Sequence, residues 1–202
     1  MNENRYTLAG WLSIANAGLI PLAIILNIVF QVFTTRMLGF YQPTIGPGDF
    51  LAIVTTVISI YILLKFRSLL HERYKFFDID GLILASIFWL VLTQIGGIAL
   101  RGLQFMVGAG RDAEILMAVI AITFLAVSVV IIGVIDILIA VKLMRIKEQL
   151  SDPLKFFIYL TLTVGILEVS IIFSPLSLLL VPVVFIAYGV IFFRDHQQVE
   201  FV

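Results

Sequence analysis

Residues 115–141 read ILMAVIAITFLAVSVVIIGVIDILIAV, and this stretch decides the fold. It is 27 residues long, and Asp136 is its single charged residue. A helix of about 20 apolar residues already spans the hydrocarbon core of a bilayer. The core of a soluble domain does not require an unbroken apolar helix of this length. The stretch therefore predicts an integral membrane protein.

The composition of the whole chain agrees with this prediction. Of its 202 residues, 61% are hydrophobic and 13% are charged, whereas soluble domains carry about 25% charged residues. Most of the charges lie in short loops, and no segment is long enough to form a soluble domain. Net charge is zero and there is no basic face, so nucleic-acid binding has no electrostatic support.

Residue types that carry chemistry are scarce. The chain contains no cysteine and two histidines, His71 and His196. Thiolate nucleophiles and cysteine metal sites are thereby excluded, and a histidine-rich metal site is not expected. No set of serine, histidine and aspartate falls at one membrane depth. We expect a protein that is not an enzyme, with no catalytic residues, no bound metal and no cofactor.

The apolar runs predict an all-α, polytopic transmembrane helix bundle of six spans, forming one integral membrane domain over residues 1–202. Their ranges are 8–33, 50–66, 81–100, 115–141, 156–173 and 176–193. The last two come from one run of 38 residues, which would be about 57 Å long as a helix, nearly twice the hydrocarbon thickness. Ser174-Pro175 is the predicted turn. Pro21 predicts a kink in the first span.

The distribution of basic residues predicts the orientation. Six spans place ten lysines and arginines on the side of the termini and three on the other side: Arg5, Lys65, Arg67, Arg73, Lys75, Lys142, Arg145, Lys147, Lys155 and Arg194 against Arg36, Arg101 and Arg111. The positive-inside rule then puts both termini in the cytoplasm. Compact loops and the lack of eukaryotic signals favour a bacterial inner, or plasma, membrane. The loops Lys65–Lys75 and Lys142–Lys155 are expected to contact anionic lipid headgroups.

These two basic loops also resemble each other. Residues 65–77 read KFRSLLHERYKFF, and residues 145–157 read RIKEQLSDPLKFF. Duplication of a helix hairpin would explain the similarity, as in transporters built from repeats. Independent placement of basic and aromatic residues at the membrane interface is the alternative, which we favour because the similarity fades inside the flanking spans.

Polar residues inside the spans are the candidate functional residues, because intramembrane charges are costly and mark transport paths or buried contacts. Asp136 is predicted about 9 Å and Glu168 about 20 Å from the inner interface. The amide candidates are Asn16, Asn27 and Gln31 on the first span and Gln94 on the third. On depth, Asn16 is level with Asp136 and Gln94 with Glu168, and a direct pair of the two carboxylates is not expected.

Two functions agree with this pattern. The favoured one is a non-catalytic membrane component or accessory subunit that packs against the helices of a protein partner, with these side chains serving as interhelical hydrogen bonds. A homo-oligomer is the other assembly expected. The alternative is a small transporter or channel for protons, cations or a small solute. In that hypothesis Asp136 and Glu168 are protonation sites, and the amides of the first span line the route.

Overall fold

In a computed structural model, the chain is described over residues 4–38, 45–107 and 111–197, with side chains over 6–37, 45–103 and 115–194. These residues are all helical apart from short connections. They form six α-helices and two 3₁₀ turns, at Lys147–Gln149 and Ile171–Phe173. The α-helices are α1 (Asn4–Leu38), α2 (Pro47–Tyr74), α3 (Asp80–Val107), α4 (Arg111–Met144), α5 (Asp152–Val169) and α6 (Ser174–Gln197).

Five of the six described helices are long and apolar enough to cross a membrane: α1, α2, α3, α4 and α6. The predicted membrane protein and the all-helical class are thereby supported, whereas six spans are not. Helix α5 has 18 residues, and Asp152, Lys155 and Glu168 lie among them. Its length matches the minimum for a span. Because it is so short, all three charges fall within its 18 residues, whereas each of the other five helices contains an 18-residue apolar stretch with at most two charges.

Five of the described helices extend beyond both ends of the predicted spans, because backbone hydrogen bonding does not stop where the apolar side chains stop; α5 begins earlier than predicted and ends at Val169. Helix α1 continues without interruption through Pro21. The predicted turn at Ser174-Pro175 is wrong by a few residues. The chain turns at Ser170–Phe173, where Ile171 has a φ of 40°, and Pro175 lies in the first turn of α6. Proline is tolerated there because the amides of a first helical turn need no helical partner.

The six helices form a ring. Each packs against its neighbours in the chain, and α1 closes the ring by packing against α6. Contacts between distant segments place the beginning of α1, the end of α6 and two connections at one end of the ring. Tyr6 donates a hydrogen bond to Glu72 at 2.8 Å and stacks on Phe192, while Lys142 donates to the Asp78 carbonyl at 2.6 Å. We call this the basic end. Arg5 and Arg111, which entered the charge count, lie outside the described side chains.

The two similar loops at the basic end differ in structure. Residues 65–74 are the last turns of α2, whereas residues 145–151 include a 3₁₀ turn and precede α5. A duplicated hairpin would place the same element at matching positions, so the difference favours independent placement. The end of α2 is also held to the start of α3. Asp80 of α3 accepts a hydrogen bond from Arg67 of α2 at 2.7 Å and lies 2.6 Å from His71 Nε2 of α2.

A hydrophobic core fills the ring at the basic end. Its centre is a set of three contacting rings, Phe66, Phe157 and Tyr188, which we call the aromatic plug. Their centroids lie 4.7 Å apart for Phe157 and Tyr188, 5.1 Å for Phe66 and Tyr188, and 5.2 Å for Phe66 and Phe157. All three are buried. Because the rings come from α2, α5 and α6, the plug closes the ring across its width.

Candidate functional site, a polar cavity above an aromatic plug

At the opposite end, the ring opens into a cavity between α1, α2, α3 and α4, with a volume of about 610 Å³. We call it the polar cavity. Three predicted candidates line it together: Asn27, Gln31 and Gln94. Ligand sites are concave, mostly apolar and carry a few convergent polar groups. The amides of the polar cavity, set among apolar residues such as Phe124 and Leu125, match that description.

An ion pair with a buried carboxylate, which was not predicted from the sequence, also lines the polar cavity. Arg101 near the end of α3 pairs with Asp49 in the first turn of α2. The Asp49 side chain is 6% exposed and the Arg101 side chain 38%. The second Asp49 oxygen accepts from the Gly46 amide at 2.8 Å, which caps α2. The pair therefore holds α2 to α3 and leaves part of the guanidinium accessible.

The position of the pair could have been inferred from the predicted spans. Asp49 directly precedes the second span and Arg101 directly follows the third. Since consecutive spans run in opposite directions, these two charges were bound to lie at the same end of the bundle.

Ser128 on α4 supplies an unused hydroxyl in the polar cavity. The residue is 3% exposed, and its Oγ has no hydrogen-bond partner in the described part of the chain. Its carbonyl accepts from the Trp89 indole at 3.2 Å, which holds α3 against α4. A buried hydroxyl without a partner costs free energy, so a group that occupies the polar cavity and bonds to Ser128 would be stabilised.

The approach of α2 to α1 at the polar cavity depends on Gly48. A methyl group at this position would lie 2.5 Å from both the Ala23 carbonyl oxygen and the Asn27 amide group. A larger residue would push the two helices apart, and Asn27 would move with α1. Glycine at position 48 therefore helps to hold one wall of the polar cavity.

Asp136 lies just beyond the closed end of the polar cavity. Ser128, Ile132 and Asp136 follow one another at intervals of four residues, which places them on one face of α4. Ser128 and Ile132 line the cavity, and Asp136 follows one turn, about 6 Å, nearer the basic end. It is half-buried, and within the described residues it forms no hydrogen bond or ion pair.

Glu168 approaches α4 where two glycines let α4 and α5 touch. A methyl group at Gly133 would lie 2.8 Å from Glu168 Cβ and 2.8 Å from the Gly165 carbonyl oxygen. Glu168 is 8% exposed, and its Oε2 has no hydrogen-bond partner in the part of the chain that the structure describes. Because Glu168 is level with Gly133, it lies only about 4.5 Å in depth from Asp136.

This arrangement corrects the depth estimates made from the sequence, which separated the two carboxyl groups by about 11 Å. Gly133 is nine residues from Lys142, whereas Glu168 is thirteen residues from Lys155. The two reference lysines therefore differ in depth by about 6 Å. We call Asp136 and Glu168 the carboxyl pair, although no hydrogen bond joins them among the described contacts.

The remaining predicted candidate, Asn16, does not line the polar cavity. Asn16 is fully buried between α1 and α2 and donates to the Ser59 hydroxyl at 2.9 Å, away from the carboxyl pair. Equal predicted depth does not join Asn16 to Asp136 or Gln94 to Glu168 by a hydrogen bond among the described contacts, because helix rotation as well as depth decides which side chains meet. Gln94 instead faces the polar cavity, with its Oε1 3.5 Å from the Thr56 hydroxyl.

Comparison of the chain with protein-family models, with curated proteins and with solved structures finds no match. The fold and the site geometry are therefore the basis for the function proposed below.

Proposed function

We propose that this protein is a small membrane transporter that takes a small polar solute into the polar cavity. One observation carries the proposal: amides from α1 and α3, an ion pair and an unused hydroxyl converge on one cavity between α1, α2, α3 and α4, at the end of the bundle away from the aromatic plug. An accessory subunit has no need of such a cavity, because interhelical hydrogen bonds can be satisfied in pairs. Asn16 and Ser59 share such a bond through the Asn16 Nδ2, although the Asn16 Oδ1 has no partner within the described residues.

The proposed topology has six spans, with the basic end in the cytoplasm of a bacterial cell. Helix α5 packs between α4 and α6, which supports counting it as the sixth span despite its charges. The basic residues near the connections at residues 75–79 and 145–151 support the orientation through the positive-inside rule. The polar cavity then opens to the outside, and the aromatic plug closes the cytoplasmic side.

The carboxyl pair would couple transport to protons. Asp136 lies between the polar cavity and the aromatic plug, and Glu168 lies near it on α5. Carboxyl groups inside a membrane are typical of proton relays. A proton bound or released there changes the charge at the crossing of α4 and α5, and this change would bias the bundle between plug-closed and plug-open forms. The carboxyl pair thus forms the proposed proton site, and the amides Asn27 and Gln31 of the first span line the route of the solute.

The test uses proteoliposomes with a trapped pH dye, to which glycine, urea or glycerol is added outside as a zwitterion, an amide or a polyol. We expect proton movement on addition of a solute that fits the polar cavity. The D136N/E168Q variant should lose it. The E148Q/D152N variant, which removes two exposed carboxylates at the basic end, should retain it. Proton movement unchanged in D136N/E168Q, or absent with every solute, would contradict the proposal.

A second candidate is the assembly component favoured by the sequence. The observation in its favour is that α3 is the least buried of the five long apolar helices in the described chain, so one of its faces is available to a partner helix. Native mass spectrometry of protein extracted gently from its own membrane separates the candidates. A defined complex with another protein supports the assembly component, whereas a monomer or homo-oligomer supports the transporter.

A further inference from the structure

The basic end carries a second cavity, which the proposed function does not use. Its volume is about 470 Å³, and we call it the basic pocket. One wall is the end of α2, with Arg73, Tyr74 and Lys75. The other wall is formed by residues 149–151, which lead into α5. The two basic loops of the sequence thus meet in one concave site.

The walls of the basic pocket are held together by a specific contact. The Ser151 amide lies 3.4 Å from the Tyr74 hydroxyl and donates to it. The Arg73 guanidinium lies 5.6 Å from the centroid of the Tyr74 ring. Tyr74 therefore positions both the cation on one wall and the backbone of the other, which gives the pocket a defined shape.

The chemistry of the basic pocket suits a phosphate group. Arg73 and Lys75 supply two positive charges, and no acidic residue is among the six that line the pocket. The Ser151 hydroxyl oxygen is buried and has no hydrogen-bond partner in the described part of the chain. A guanidinium binds phosphate oxygens through two parallel hydrogen bonds, while a lysine adds a point charge. A hydroxyl can donate a further bond.

We propose that the basic pocket binds the phosphate of an anionic lipid headgroup. Two exposed aromatic residues that are close to the pocket residues in the sequence favour a lipid over a soluble phosphate ester. Phe77 follows Lys75 by two residues and Phe156, in α5, follows Ser151 by five, and they are 56% and 58% exposed. Exposed aromatic rings next to basic residues are typical of the membrane–water interface, where headgroups lie. An anionic leaflet adds electrostatic attraction for both cations.

A lipid in this position would link the α2–α3 connection to the α4–α5 connection. It would act next to the helix ends that carry Phe66 and Phe157 of the aromatic plug. The lipid assignment does not depend on the proposed transport function, because the residues of the basic pocket are separate from those of the polar cavity and the carboxyl pair.

The test is retention of lipid by detergent-purified, delipidated protein, measured by native mass spectrometry with phosphatidylglycerol or phosphatidylcholine added. We expect retention of phosphatidylglycerol. The R73Q/K75Q variant should bind it about 25-fold more weakly, since each basic residue near the lipid contributes about fivefold. The matched control is R145Q/K155Q, which removes two charges at the same end but outside the pocket, and should bind within about twofold of the unchanged protein.

A thermal unfolding series with inorganic phosphate separates the two sources of a phosphate group. We expect the unfolding midpoint to rise with phosphatidylglycerol and not with phosphate alone. A rise with phosphate alone and none with the lipid would overturn the lipid assignment in favour of a soluble phosphate ester. Equal retention of phosphatidylglycerol by both double variants would overturn the site itself, because retention would then follow overall charge.

Discussion

Replacement of Phe157 by alanine should weaken the closed end of the bundle and make it permeable. The Phe157 ring is 1% exposed and contacts Phe66 and Tyr188, with centroids 5.2 and 4.7 Å away. Each aromatic pair contributes about 0.5–1.5 kcal/mol beyond area burial. The two pairs together give a loss of about 1–3 kcal/mol. The space left by the ring adds to this loss.

The assay is thermal unfolding in detergent, followed by tryptophan fluorescence, with Phe156→Ala as the control. Phe156 is the neighbouring residue but is 58% exposed, so its removal should change stability by less than about 0.5 kcal/mol. The total loss of about 3–5 kcal/mol, typical of removing a buried phenylalanine, lowers the midpoint by roughly 6–20 °C in a chain of this size. F157A proteoliposomes should also leak glycerol faster than F156A proteoliposomes. Equal midpoints and equal leak rates would refute the plug.

Three further substitutions test the contacts around the site by the same unfolding assay. Gly165→Ala would bring a methyl group to 2.7 Å from a backbone oxygen of α4, so the unfolding midpoint should fall by about 3–10 °C. The control is Gly18→Ala, whose methyl group meets nothing within 4 Å and should leave the midpoint unchanged or raised. An equal fall in both variants would contradict the contact between α4 and α5. Arg101→Gln should lower the free energy of unfolding by about 1–2 kcal/mol, less than the loss for a fully buried pair because the arginine is partly exposed. Lysine at this position should restore part of the stability. Identical midpoints for arginine, glutamine and lysine would argue against the pair with Asp49. Asn16→Ala removes one interhelical hydrogen bond and should lower the free energy of unfolding by about 0.6–1.7 kcal/mol, with no effect on proton movement. Loss of proton movement with normal stability would instead indicate that Asn16 takes part in transport.

The fold class could be predicted because its cause is local. A 27-residue apolar run is longer than the roughly 20 residues that a helix needs to cross a membrane, and its length and hydrophobicity are read from the sequence without knowledge of packing. The amide candidates on the first span were found the same way, since helical periodicity shows which residues share a face. Asn27 and Gln31 do line one cavity. Asn16, on the same face, does not, because the neighbouring helix covers the inner half of α1.

The parts that the sequence did not reveal depend on how helices are placed against one another. The ion pair of Asp49 and Arg101 joins residues 52 positions apart, and the sequence around either residue does not identify the other as its partner. The carboxyl pair was misjudged for the same reason, because depth was measured from two lysines that lie at different heights. The contact between Gly133 and Gly165 decides the true offset, and it is a property of the packed helices.

Site-directed thiol labelling tests the central claim most directly, because the chain has no cysteine and a single introduced thiol is unique. Gly97→Cys places a thiol in the polar cavity, at a position where a Cβ meets nothing within 4 Å. Ile95→Cys, two residues away, is the control, because Ile95 is 60% exposed on the apolar surface. Asp78→Cys marks the basic end. We predict that a charged, membrane-impermeant thiol reagent labels G97C only from the side opposite to D78C, and does not label I95C. Labelling of G97C from the same side as D78C, or no labelling of G97C, would contradict a polar cavity that opens away from the basic end.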